Sequence, residues 1–91
     1  MLPEFARDPS ALRRLYRAMT LTRVFDARAL TLQRTGRLGT YPSSLGQEAV
    51  AVGLADAMRA ADVLVPSFRE HGAQLLRGVT ATELFLYWGG D

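Results

Sequence analysis

Asp62-Val-Leu-Val-Pro-Ser-Phe-Arg-Glu-His-Gly72 is the stretch on which the fold turns. Val63, Leu64 and Val65 form a short apolar, β-branched run that predicts a strand, and Pro66 stops it. Phe68, Arg69, Glu70 and His71 then crowd into a turn closed by Gly72. A guanidinium at a strand-to-helix turn offers forked donors, and the free N–H groups of the following helix add partial positive charge, so the layout suits an anion. Arg69 is the first candidate ligand. A solvated turn with a local ion pair explains the same residues, because structural ion pairs are common.

Working outward, Thr80 and Glu83 have capping-box spacing and predict a last helix through Trp88, after a short helix over Ala73 to Arg77 ended by Gly78. Upstream, Ser44 and Gln47 repeat that spacing and predict a helix from about Leu45 to Arg59, with Glu48 in its first turn. Within it Ala49, Gly53 and Ala57 recur every four residues, a small-residue seam expected to be buried against another element, with Val50, Val52 and Leu54 filling space beside it. Gly53 costs helix propensity, which suggests a packing reason. The loop before this helix, Arg37-Leu-Gly-Thr-Tyr-Pro-Ser-Ser-Leu-Gly46, carries small residues suited to lining a pocket.

Asp8-Pro9 predicts the start of the longest helix, since Asp8 can cap free N–H groups and Pro9 suits the first helical position. From Ser10 to about Arg34, Leu12, Leu15, Tyr16, Met19, Val24, Phe25 and Leu30 form a wide apolar stripe, and Gly36 is the expected stop. Arg14 and Asp26 are available for a partner. Residues 1–8 are expected to be a tether, with Leu2 and Phe5 free to dock on a neighbour.

Ninety-one residues allow one small domain, yet 48% are hydrophobic, so part of the apolar surface is expected to face something outside these residues. All 11 basic residues are arginine, and they are spread among nine acids rather than gathered on one face with interleaved aromatics. That argues against nucleic-acid binding. The absence of cysteine removes disulfides, thiolate metal sites and a cysteine nucleophile. No signal peptide or membrane-spanning stretch is predicted, which makes a cytoplasmic protein the expectation. With helices and one short strand, the 91 residues cannot complete a sheet, and the strand needs partners from a longer chain or another chain.

Leu30-Thr-Leu-Gln-Arg34, the Gly36 to Gly39 loop, Ser44-Leu-Gly-Gln-Glu-Ala49, Val65-Pro-Ser-Phe-Arg-Glu-His-Gly72 and Leu84-Phe-Leu-Tyr-Trp-Gly-Gly90 occur in that order. Together they resemble the N-terminal part of the alpha chain of thiamine-diphosphate-dependent 2-oxo acid dehydrogenases, the decarboxylating component of the pyruvate and branched-chain 2-oxo acid dehydrogenase complexes. The resemblance spans nearly all of residues 1–91 and about the first quarter of the family's chain. It implies an α/β thiamine-diphosphate-binding fold in the full chain, of which residues 1–91 are a mostly helical part with one short strand. The implied reaction is decarboxylation of a 2-oxo acid, pyruvate first among them, with acyl transfer to the lipoyl group of an acyltransferase component. The implied assembly is a heterotetramer with beta subunits and a second alpha subunit.

The family's turn has Tyr-Arg where this chain has Phe68-Arg69, and there the pair holds the cofactor's diphosphate. Phe68 lacks the hydroxyl, so only ring and shape remain at that position. Thr40, Tyr41 and His71 fall near the family's substrate or cofactor and are weaker candidates. The family's activating glutamate belongs to its beta chain, and its Gly-Asp-Gly motif with a downstream Asn, which supports Mg²⁺, does not occur in residues 1–91. No catalytic or metal-binding residue is therefore expected here, and these residues alone are expected to be inactive. Two alternatives stand beside this reading: a non-catalytic helical interaction module, and a related thiamine enzyme such as an acetoin dehydrogenase.

Overall fold

A computed structural model describes residues 3–90, so the expectation for Leu2 lies outside the described residues. A 3₁₀ turn at Glu4–Arg7 leads into four helices: α1 at Pro9–Arg34, α2 at Glu48–Ala57, α3 at His71–Leu76 and α4 at Ala81–Trp88. Helix α1 is the spine. At about 1.5 Å per residue its 26 residues account for most of the molecule's 47 Å long axis.

The predicted helix ends are local chemistry, and most hold. Asp8 Oδ1 accepts the Ser10 N–H at 2.9 Å with Pro9 at the first helical position. Gly36 and Gly78 take φ of +80° and +104°, open to glycine at little cost, and end α1 and α3. In each case the next two N–H groups fold back, Gly36 to Gln33 O and Arg37 to Leu32 O, Gly78 to Leu75 O and Val79 to Gln74 O. Thr80 and Glu83 form the full reciprocal capping box at the start of α4.

Three expectations are corrected. Val63, Leu64 and Val65 form no strand; the segment is without regular structure, with Val63 82% and Val65 87% exposed, because no neighbouring backbone within the described residues pairs with its ladder groups. Ser44 and Gln47 make no capping box: α2 starts at Glu48 behind an uncapped Gln47, and the Ser44 N–H and hydroxyl turn to Asp26 instead. The Ala49, Gly53, Ala57 seam faces outward, along with Val50 and Leu54, and a Cβ at Gly53 would meet nothing. Helix α2 instead buries Glu48, Ala51, Val52 and Ala55, one step out of phase.

The apolar stripe of α1 is likewise only partly buried. Thr22, Phe25, Asp26 and Ala29 face inward at the i, i+3, i+4, i+7 positions of one helical face, while Leu12, Tyr16 and Val24 remain exposed. Helix α3 closes on α1 and α2 at Gly72, where a Cβ would come within 3.0 Å of Thr22 Oγ1 and 3.1 Å of Val52 Cγ2. Any larger residue there would make Thr22 or Val52 give way by a few tenths of an ångström. One core forms around Ala51, Ala55 and Ala73, and a second around Phe25, Ala29, Leu38, Tyr41 and Leu84, joined by Phe85 and Trp88 of α4. The second core carries the site. No helix of the described residues is long and apolar enough to cross a membrane.

Candidate functional site

The loop after α1 and the turn before α3 meet beside α4. Arg69 Nη1 donates to the Ser43 carbonyl O at 2.6 Å, and its guanidinium carbon stands 5.3 Å from the centre of the Phe68 ring, within cation–π range. A guanidinium carries five N–H donors, so this bond aims the group and leaves most of the fork free. Arg69 and Phe68 are both exposed. Beside them Pro66, Ser67, Phe68, Gln74, Tyr87 and Trp88 line a cavity of about 280 Å³. Ser67 Oγ donates to the Glu70 carboxylate at 2.6 and 2.9 Å, which lowers the pKa of Glu70 and occupies it within the turn.

A larger concavity of about 730 Å³ lies between α1 and α3, against Arg13, Arg17, Leu75 and Leu76. Arg14, expected from the sequence to be available for a partner, also lines it and pairs with Asp56, whereas Thr40, Tyr41, Phe68, Arg69 and His71 do not reach it.

The other candidates divide. Thr40 is exposed on the loop, whereas Tyr41 and His71 are 5% and 1% exposed and belong to the core. Their rings stack at 5.1 Å, with Phe25 at 5.7 Å and Trp88 edge-on at 5.7 Å from His71. His71 Nε2 lies 3.2 Å from the Pro42 carbonyl O. A carbonyl oxygen only accepts, so Nε2 bears the proton of the neutral ring. His71 therefore pins the loop to the turn.

Asp26, expected from the sequence to be available for a partner, is instead buried in this site with its carboxylate occupied by the loop. It is 2% exposed, and its Oδ1 accepts the Tyr41 hydroxyl at 2.7 Å and the Ser44 N–H at 2.8 Å, while Oδ2 accepts the Ser43 hydroxyl at 2.6 Å. Burial pushes this carboxyl up, but the bonds from Ser43, Tyr41 and Ser44 outweigh it, so Asp26 stays below the ordinary carboxylate range. Tyr41 is pushed far up by burial and by the same carboxylate. The available signal was the spacing of Asp26 with Thr22, Phe25 and Ala29 on one face.

Glu48 holds the other end of the loop. Its carboxylate accepts the Gly46 N–H at 3.2 Å and Arg23 Nη2 at 3.0 Å, and Gly46 itself needs φ of +86°. Arg23 lowers the Glu48 pKa against the opposing effect of burial. Among the described residues no three His, Asp or Glu side chains are grouped to hold a metal ion.

Burial pulls His71 below its ordinary pKa; the Pro42 carbonyl, Asp26 and Glu70 favour the proton without overcoming burial, and Arg69 opposes it. An unfolded chain takes up that proton near pH 6.5, where the folded chain refuses it, so stability falls as pH drops through and below that value. The expected result is a lower urea midpoint at pH 5.5 than at pH 7.5, with the difference reduced in His71→Phe. Equal midpoints in the parent chain would contradict the assignment.

The fold and the site thus define a class: a helical scaffold whose loop carbonyl aims an exposed arginine, of a kind able to hold an anionic group. Residues 16–91 match the family model of the dehydrogenase E1 component, and the chain belongs to that family. It is 41% identical over 91 residues to the pyruvate dehydrogenase E1 component subunit alpha of Acholeplasma laidlawii, covering 100% of this chain and 26% of that one. It is 42% identical over 79 residues to the 3-methyl-2-oxobutanoate dehydrogenase subunit alpha of Mycobacterium tuberculosis, covering 87% and 22%. With the Bacillus cereus pyruvate dehydrogenase E1 component subunit alpha it shares 36% over 89 residues, 98% and 24%. No solved structure matches. The chain spans about a quarter of the length of the curated relatives it matches.

Proposed function

We propose that residues 1–91 are the N-terminal portion of the thiamine-binding domain of a 2-oxo acid dehydrogenase alpha chain, with residues 1–8 as a tether, and that Arg69 holds the diphosphate of thiamine diphosphate. Family membership implies use of that cofactor. The observation that carries the reading is the exposed Arg69 fork, aimed by the Ser43 carbonyl and backed by the Phe68 ring within the matched residues. The donor chemistry fits a diphosphate, since a planar fork matches phosphate oxygens two at a time. Bound thiamine diphosphate supplies the carbon nucleophile and electron sink that 2-oxo acid decarboxylation needs.

On this reading Arg69 binds and orients, Phe68 contributes shape without a hydroxyl, and Tyr41 and His71 act from within the core. Thr40 is left on the exposed side of the loop, the weakest of the candidates. On this reading the Mg²⁺ ligands belong to the rest of the proposed assembly with beta chains and a second alpha chain. The acyl group passes to a lipoyl-bearing acyltransferase component. Residues 1–91 alone are inactive.

Relatives named for pyruvate dehydrogenase and for 3-methyl-2-oxobutanoate dehydrogenase define the substrates to compare. The test is the full-length alpha chain co-purified with its beta chain, assayed for carbon dioxide release from pyruvate and from 3-methyl-2-oxobutanoate with a lipoyl acceptor. Release that requires added thiamine diphosphate, faster from pyruvate, supports the reading. No release from either acid by the cofactor-loaded assembly overturns it and favours the interaction module, for which the outward Val50 and Leu54 provide a surface.

A further inference from the structure

We infer that Asp26 is a positioning residue for the anion site, acting through the loop it holds to set the direction of Arg69. The inference rests on the proposed diphosphate role of Arg69. Asp26 touches no exposed surface and cannot meet a ligand, being 2% exposed. Its carboxylate instead collects four donors from one loop, the Tyr41 hydroxyl, the Ser43 hydroxyl and the Ser44 N–H and hydroxyl, across 15 to 18 residues of sequence.

The backbone thus fixed presents two carbonyls to the turn before α3. Ser43 O accepts Arg69 Nη1 at 2.6 Å and Pro42 O accepts His71 Nε2 at 3.2 Å. Arg69's side chain has no other hydrogen-bonding partner within the described residues to set its direction, and its guanidinium also lies over the ring of the adjacent Phe68. A long, exposed arginine with one anchoring bond is only as well aimed as the acceptor of that bond. Arg69 supplies the charge, and Asp26, from the middle of α1, supplies its direction.

Asp26→Asn retains size and much of the hydrogen bonding but loses the charge that the four donors share. In the full-length alpha chain assembled with its beta chain, thiamine diphosphate affinity is measured with Mg²⁺ by cofactor-induced fluorescence quenching, for the parent, Asp26→Asn, Arg69→Ala and the double variant. Thiamine, which lacks the diphosphate, is titrated alongside. Asp26→Asn is expected to weaken thiamine diphosphate binding roughly three- to tenfold in the parent and less than about twofold in Arg69→Ala, because coupled residues are not additive. Thiamine affinity is unchanged in both.

Equal losses in the two backgrounds, or no loss in Asp26→Asn, overturn the positioning role while leaving the Arg69 reading intact. No loss in Arg69→Ala overturns the Arg69 reading itself, and the inference with it. Should Asp26→Asn fail to assemble, Ser43→Ala, which removes the hydroxyl that donates to Asp26 and accepts the exposed Leu45 N–H but keeps the carbonyl that anchors Arg69, takes its place in the same cycle with the same outcomes.

Discussion

Phe25→Ala should lower the stability of the chain by about 3–5 kcal/mol, the usual cost of emptying a buried aromatic site that cannot collapse. Phe25 is 3% exposed and stacks on Phe85 at 4.6 Å, with Tyr41 at 6.3 Å and His71 at 5.7 Å. Removing it opens the junction of α1, the loop and α4 at once. Small domains carry only about 5–15 kcal/mol in total, so the variant will sit close to its unfolding transition. Urea unfolding followed by the fluorescence of Trp88, the only tryptophan, measures it. Val24→Ala is the control: its side chain is 61% exposed and should change stability by no more than about 0.5 kcal/mol. Equal losses at the two positions would mean that the helix presents a different face to the core.

Asp26→Ala is expected to cost about 2–4 kcal/mol, for a different reason. Tyr41 and Ser44 are 5% and 1% exposed, so deleting the carboxylate leaves a buried hydroxyl and a buried N–H without an acceptor, each worth roughly 1–3 kcal/mol when orphaned. Water entering the vacated volume offsets part of that sum. The same unfolding measurement checks it, and a loss below about 0.5 kcal/mol would show that the loop is held without Asp26.

How legible this architecture was in the sequence depended on the range of the interaction responsible. Helix ends are decided within a few residues, and Asp8-Pro9, Gly36, Gly78 and the Thr80–Glu83 pair all act as their chemistry predicts. Burial is decided by distant elements. The repeat of Ala49, Gly53 and Ala57 predicted one buried face of α2, but the packing partners α1 and α3 select the adjacent face bearing Ala51, Val52 and Ala55. On α1 the wide apolar stripe left the phase open between Val24 and Phe25, and the loop returning with Tyr41 selected Phe25.

The Ser44 and Gln47 spacing failed for a related reason. A capping serine is also a competent donor, and a buried carboxylate from α1 outcompetes a helix terminus that water can satisfy. The Val63 to Val65 segment has strand composition, but a strand exists only with its neighbours, and the described residues include none. Of the candidate site, Arg69 was singled out by a local signal, a forked cation in a tight turn, and Phe68 by the family resemblance. Asp26 was not, since an acid within a long helix reads as solvated until the donors that bury it are located.

Whether Arg69 meets a diphosphate is decided by the affinity of the assembled full-length alpha and beta chains for thiamine diphosphate and for thiamine, each with Mg²⁺, in the parent and in Arg69→Ala. Loss of a charge-assisted contact should cost about 1.5–3 kcal/mol for thiamine diphosphate and nothing for thiamine. An Arg69→Ala enzyme that binds thiamine diphosphate as tightly as the parent would contradict the claim and return the turn to a purely structural role.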